Sequence, residues 1–191
     1  IKVVEDYQLQ NPIVRTVVPS SNNTSAVEST VAKVVVGTAH SQRSFRREGY
    51  RVLSYNKELD LISLSFILDE ETYPGVAQSD GTVAIFYSED HGQTWSGPVV
   101  TSDLSANEKR NYYQTGIIYN PSGNTDVMNA YGVYQGVAPD NEGGVLGDWD
   151  NQAFGASTFG GANYFTEYIY NDHAYDVYCN TFGLTQNGDI M

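Results

Sequence analysis

The chain has 191 residues, with 23 acidic side chains against 10 Lys and Arg, giving a formal net charge of −13. That is length enough for one domain with a real core. The charge argues against a nucleic-acid or anionic-membrane partner, because either favours a basic face. Gly and Tyr are abundant and no long charged helix-forming run occurs, which is the composition of a β-rich protein.

Taken in order, residues 1–29 are irregular, with short apolar runs at Val3-Val4 and Ile13–Val18. Pro19–Ser25 is a loop by composition, and Asn22 and Asn23 each open a formal glycosylation sequon. Val31–Thr38 predicts a strand ended by Gly37. His40–Arg47 is the chain's basic cluster. It reads as a solvated loop, or alternatively as a site whose Arg forks hold an anion.

From residue 49 a rhythm of strands and turns begins. Tyr50–Tyr55 predicts a strand, Asn56–Asp60 a turn and Leu61–Leu68 a second strand. A polar loop, Asp69–Gly81, leads to Val83–Tyr87, which is β-branched and aromatic. Next comes Ser88-Glu89-Asp90-His91-Gly92-Gln93-Thr94-Trp95. Asp90 can accept hydrogen bonds from backbone a residue or two ahead, and Gly92 tolerates a positive φ. Thr94 and Trp95 start the return strand, and the Trp95 ring is suited to packing between sheets.

The rhythm repeats with Gly116–Tyr119, a turn at Asn120–Asp126, and a strand over Val127–Val137. A Gly- and Asp-rich loop runs to Asp150, followed by strands over Ala153–Phe159 and Tyr164–Tyr170. Ser54-Tyr55-Asn56, Ile118-Tyr119-Asn120 and Tyr178-Cys179-Asn180 recur at about 60-residue spacing. The single Cys179 cannot form an internal disulfide and reads as a small buried hydrophobe. No apolar run reaches the roughly 20 residues that span a bilayer.

Residues 88–95 read S-x-D-x-G-x-T-W and resemble the Asp-box of sialidase-like β-propellers. The resemblance implies an all-β propeller of four-stranded antiparallel blades, with the box joining a blade's third and fourth strands on the face away from any active site. The structural box residues would be Ser88, Asp90, Gly92, Thr94 and Trp95. The expected segments are 1–48 as N-terminal strands and loops, 49–101 as a first blade, 102–171 as a degenerate second blade and 172–191 as the start of a third. A propeller closes with about four to eight blades. The chain is therefore expected to be an incomplete, N-terminal part of a longer propeller, with a free-standing β-sandwich as the competing fold.

Val36–Ala39, the box, and Gly116–Thr125 with Asn129-Ala130-Tyr131 also resemble large secreted propeller proteins of Bacteroidetes. That likeness implies a secreted or cell-surface protein exported as a client of the type 9 secretion system, with its outer-membrane translocon as a partner.

Sialidases themselves need three arginines, a Tyr nucleophile with a Glu, and an acid/base Asp. Their first arginine lies in an F/Y-R-I-P motif. Phe45-Arg46-Arg47-Glu48 has the Phe-Arg without the Ile-Pro, Arg15 lacks the motif, and nothing selects among Arg43, Arg51 and Arg110. No catalytic residue is assigned. The acidic loops Asp69-Glu70-Glu71 and Asp140–Asp150 offer carboxylates without a selected pair. His40, His91 and His173 are too scattered for zinc. Acidity suits weak calcium binding, but no ligand spacing specifies it, so no cofactor is expected.

In this architecture the loops Asp69–Gly81, Ser102–Tyr113 and Ala138–Asn151 share the rim opposite the box. They supply Tyr73, Arg110, Tyr112, Tyr113 and Trp149, aromatics and a cation that suit a glycan or protein ligand, or else cap the core. The expected function is a non-catalytic binding propeller. The alternative is the N-terminal part of a sialidase-type exo-glycosidase.

Overall fold

The computed structural model describes residues 33–40, 51–76, 81–102, 112–138, 151–161, 165–170, 182–185 and 187. For residues 112, 113, 138, 151 and 165–170 it describes the backbone alone. Contacts divide the chain into Ile1–Val35 and Val36–Met191, and the strands among the described residues lie in the second unit.

The fold is all-β. The strands are β1 (Leu53–Asn56), β2 (Leu61–Ile67), β3 (Val83–Ser88), β4 (Ser96–Val100), β5 (Tyr112–Tyr119), β6 (Tyr131–Ala138), β7 (Asn151–Thr158) and β8 (Phe165–Tyr170). They form two four-stranded antiparallel meanders, β1-β2-β3-β4 and β5-β6-β7-β8. Each strand pairs with its chain neighbour, so short connections suffice.

The pattern explains the layering. In β2, Leu61, Ser63, Ser65 and Ile67 alternate with Ile62, Leu64 and Phe66. The first set faces the second sheet, where Leu61, Ile85, Tyr87 and Val99 cluster with Ala130 and Phe159. Ile67 and Val83 cluster with Tyr134 and Ala153 across the same interface. β3 is buried at every position because both of its faces are covered. The two sheets approach closely because the second presents glycines. A Cβ at Gly116 would strike Ser65, one at Gly132 would meet Ile85, and one at Gly155 would strike Tyr134 and the Thr101 carbonyl.

The outer face of the first sheet carries Phe66, Leu68, Ala84 and Phe86, with Val36, Ala39, Tyr73 and Trp95 against them. Phe66 and Phe86 stack at 4.8 Å. On the far side of the second sheet, Val133 and Ala156 pack with Phe182, and Leu184 lies against them. The second sheet is thus covered on both faces.

Direction follows from the hydrogen bonds. The Gly116 N–H donates to the Arg51 carbonyl at 2.8 Å, and the Ile118 N–H to Ser54 Oγ at 3.2 Å. Residue numbers rise together, so β1 and β5 run side by side in the same direction. The turns 57–60, 89–95 and 120–130 therefore share one end. Contacts confirm it: His91 Nε2 lies 3.5 Å from Asp60 Oδ2, and Asn120 Nδ2 donates to Glu58 Oε2 at 3.1 Å. The β2–β3 connection, the end of β4, the start of β5 and the end of β6 lie at the opposite end.

Several expected boundaries move. Residues 33–38 form no strand, and beyond them Ala39 makes a single bridge to Leu68. Val36 and Gly37 pack onto the sheet face instead of along an edge: Val36 joins the outer cluster, and Gly37 lies so close to Tyr73 and Phe66 that a Cβ has no room. Val127–Asn129 is a 3-10 turn, because the Asp126 carboxylate accepts from the Met128 N–H at 2.9 Å and caps it. β5 begins at Tyr112 rather than Gly116, carrying the fully buried Gln114 and Thr115. β1 starts three residues later than expected, at Leu53. The Tyr-Asn repeat is offset by one: Asn56 is the last residue of β1 and Asn120 follows β5. Its third copy, Tyr178-Cys179-Asn180, lies outside the described residues.

Candidate functional site

The turn Ser88–Trp95 joins β3 to β4 and is closed by its own side chains. Ser88 Oγ donates to Asp90 Oδ1 at 2.8 Å and accepts from the Gly92 N–H at 2.8 Å. Asp90 Oδ1 accepts from the Thr94 N–H at 2.8 Å, and Oδ2 from the Thr94 hydroxyl at 2.6 Å. The Trp95 indole N–H donates to the Gly92 carbonyl at 3.1 Å. This wrapping drives His91 to φ 58° and Gly92 to φ 86°. Glycine tolerates such a φ, whereas His91 is held in it by the bonds on either side.

Electrostatics follow the hydrogen bonds. The Thr94 hydroxyl, then the Thr94 N–H and the Ser88 hydroxyl, hold the Asp90 carboxyl down to about 2 from its ordinary 3.8. The Tyr55 hydroxyl donates to Asp60 Oδ1 at 2.9 Å, and that bond to a carboxylate raises the phenol above its ordinary range. Trp95 differs from expectation. Its ring packs on the outer face of the first sheet, not between the two sheets, and β4 starts after it at Ser96.

The expected rim residues are not gathered by the described structure. Half-buried Tyr73 tilts against Phe86 at 6.1 Å, and its hydroxyl accepts from the Thr38 N–H at 3.1 Å. Tyr73 caps a core. Tyr112 and Tyr113 belong to β5 and not to a loop. Arg110 and Trp149 lie outside the described residues, as do Arg15, Arg43, Arg46, His173 and Cys179.

Two further polar clips escaped the sequence reading. Asp69 Oδ2 accepts from the Thr72 N–H at 2.9 Å, and the Asn124 side chain bonds Asn120 Oδ1 at 2.8 Å. An Asp three residues before a Thr, and paired Asn in a Pro-Ser-Gly turn, are the signals that could have found them. An open cleft of about 510 Å³ lies between β4 and the 157–161 turn, lined in part by Tyr87, Pro98, Ser157 and Phe159.

Among the described residues, no group of three or more His, Cys, Asp or Glu is placed to hold a metal ion. Among them, too, no helix is long and apolar enough to cross a membrane. Compared with known proteins, the chain matches no family model, no curated sequence and no solved structure.

Proposed function

We propose that the chain is part of a secreted or surface-attached Asp-box β-propeller that binds a glycan or protein partner without chemistry. The carrying observation is the arrangement of the sheets. Two four-stranded meanders stack face to face, with β1 and β5 side by side and parallel, and the Ser88–Trp95 turn closes a third strand onto a fourth. Stacked four-stranded blades around a line of first strands are the propeller arrangement. The box serves as a structural clip, since its hydroxyls and carboxylate bond to one another. Ligand contact then falls to the opposite end, where β2 leads to β3 and β6 leads to β7. Export as a type 9 secretion client rests on the sequence resemblance.

An array of sialylated and neutral oligosaccharides tests this reading. The purified protein is expected to bind saturably and to release no sugar. Release of sialic acid from a sialoside overturns the non-catalytic part. Binding abolished by Glu89→Ala or Gln93→Ala, both exposed on the box turn, places the site at the wrong end.

A further inference from the structure

We infer that the second sheet holds a structural water between Thr115 and Gln135. The two residues are direct cross-strand partners on β5 and β6. Such partners share a sheet face with Cβ atoms about 5 Å apart. Both are fully buried, at 0% exposure. Gln135 spends its amide N–H on the Gly136 carbonyl at 3.3 Å. Its Oε1 and the Thr115 Oγ1 have no protein partner. Folded proteins rarely leave such atoms unmet, and the usual remedy is an internal water.

The local backbone provides the opening. Between the Tyr112–Val137 and Thr115–Gln135 pairs, the register advances three positions on β5 and two on β6. A bulge of this kind leaves a residue out of the ladder and loosens the strand beside it. Ile117, Val133 and Phe182 cover the adjoining part of this face, and the Tyr119 and Tyr131 pair lies beyond them, two cross-strand pairs from Thr115 and Gln135. Water matches the chemistry: it donates to a carboxamide oxygen, and it can either donate to or accept from a hydroxyl. A larger guest does not fit two side chains that are wholly covered.

Thermal unfolding of Thr115→Val, Gln135→Met and the double variant tests the site. With a bridging water, each single change strips one of its partners and lowers Tm by about 2–4 °C. The double change removes the need for the water and recovers most of that loss. If the two atoms are merely unsatisfied, Thr115→Val raises Tm, and the proposal fails. Additive losses point to packing alone and also overturn it. A crystal structure at high resolution gives an independent reading. Density between Oγ1 and Oε1 supports the site, and an empty or protein-filled gap refutes it.

Discussion

Asp90 and Thr94 are joined twice, the N–H to Oδ1 at 2.8 Å and the hydroxyl to Oδ2 at 2.6 Å. The pair sets an acid limit on the fold. The native carboxyl titrates near 2 and the unfolded one near 3.8, so the contribution is full above the unfolded value and lost as pH falls through the native one. Unfolding midpoints measured from pH 6 to pH 2 should drop most steeply over that lower window. Asp90→Asn should be less stable at neutral pH and show a flatter acid limb. An unchanged limb refutes the link.

Ser88 is buried at 1% exposure and bonds both to a charged carboxylate and to a backbone N–H. Ser88→Ala leaves the Gly92 N–H without its acceptor and should destabilise by about 1–3 kcal/mol in urea unfolding. A neutral result would mean that the turn is held by Asp90 alone.

The glycines between the sheets make a second test. Gly116→Ala and Gly155→Ala each push a methyl into the opposing layer and should cost about 1–3 kcal/mol or more. Gly123 has open space around it but a φ of 79°, so Gly123→Ala should cost about 1 kcal/mol through backbone strain alone. Denaturant unfolding that ranks Gly123 above the other two contradicts the stacking described.

Ile85 is fully buried and reaches Gly132 across the interface. Ile85→Ala should cost about 2–5 kcal/mol, since a stacked layer cannot collapse easily into the gap. Amide exchange should then accelerate in both sheets. Acceleration confined to the first sheet indicates that the layers unfold independently.

The Ser88–Trp95 turn was legible in sequence because its bonds run between residues a few positions apart. The strands of the first sheet were legible for a related reason: Leu61–Ile67 and Val83–Ser88 carry their burial in local pattern. What stayed hidden depends on tertiary contact. Gln114 and Thr115 are polar letters at fully buried places, so hydropathy starts β5 too late. Val36 and Gly37 read as strand, yet aromatic rings from β2 and β3 fix them against a face. The Asp126 cap overrides the apolar Val127-Met128 that follows it. Tyr73 has the character of a ligand platform, and only the position of Phe86 and the Thr38 N–H shows it as a lid on the core.

The shared direction of β1 and β5 has a practical side. The turns at 57–60, 89–95 and 120–130 sit together at one end, and Glu89 and Gln93 are exposed there. With Cys179 replaced by Ser, a cysteine placed at either position would tether the two sheets to a sensor surface or bead by that end. That orientation is built into the topology of the strands, so an immobilised array would hold every copy of the two sheets the same way round.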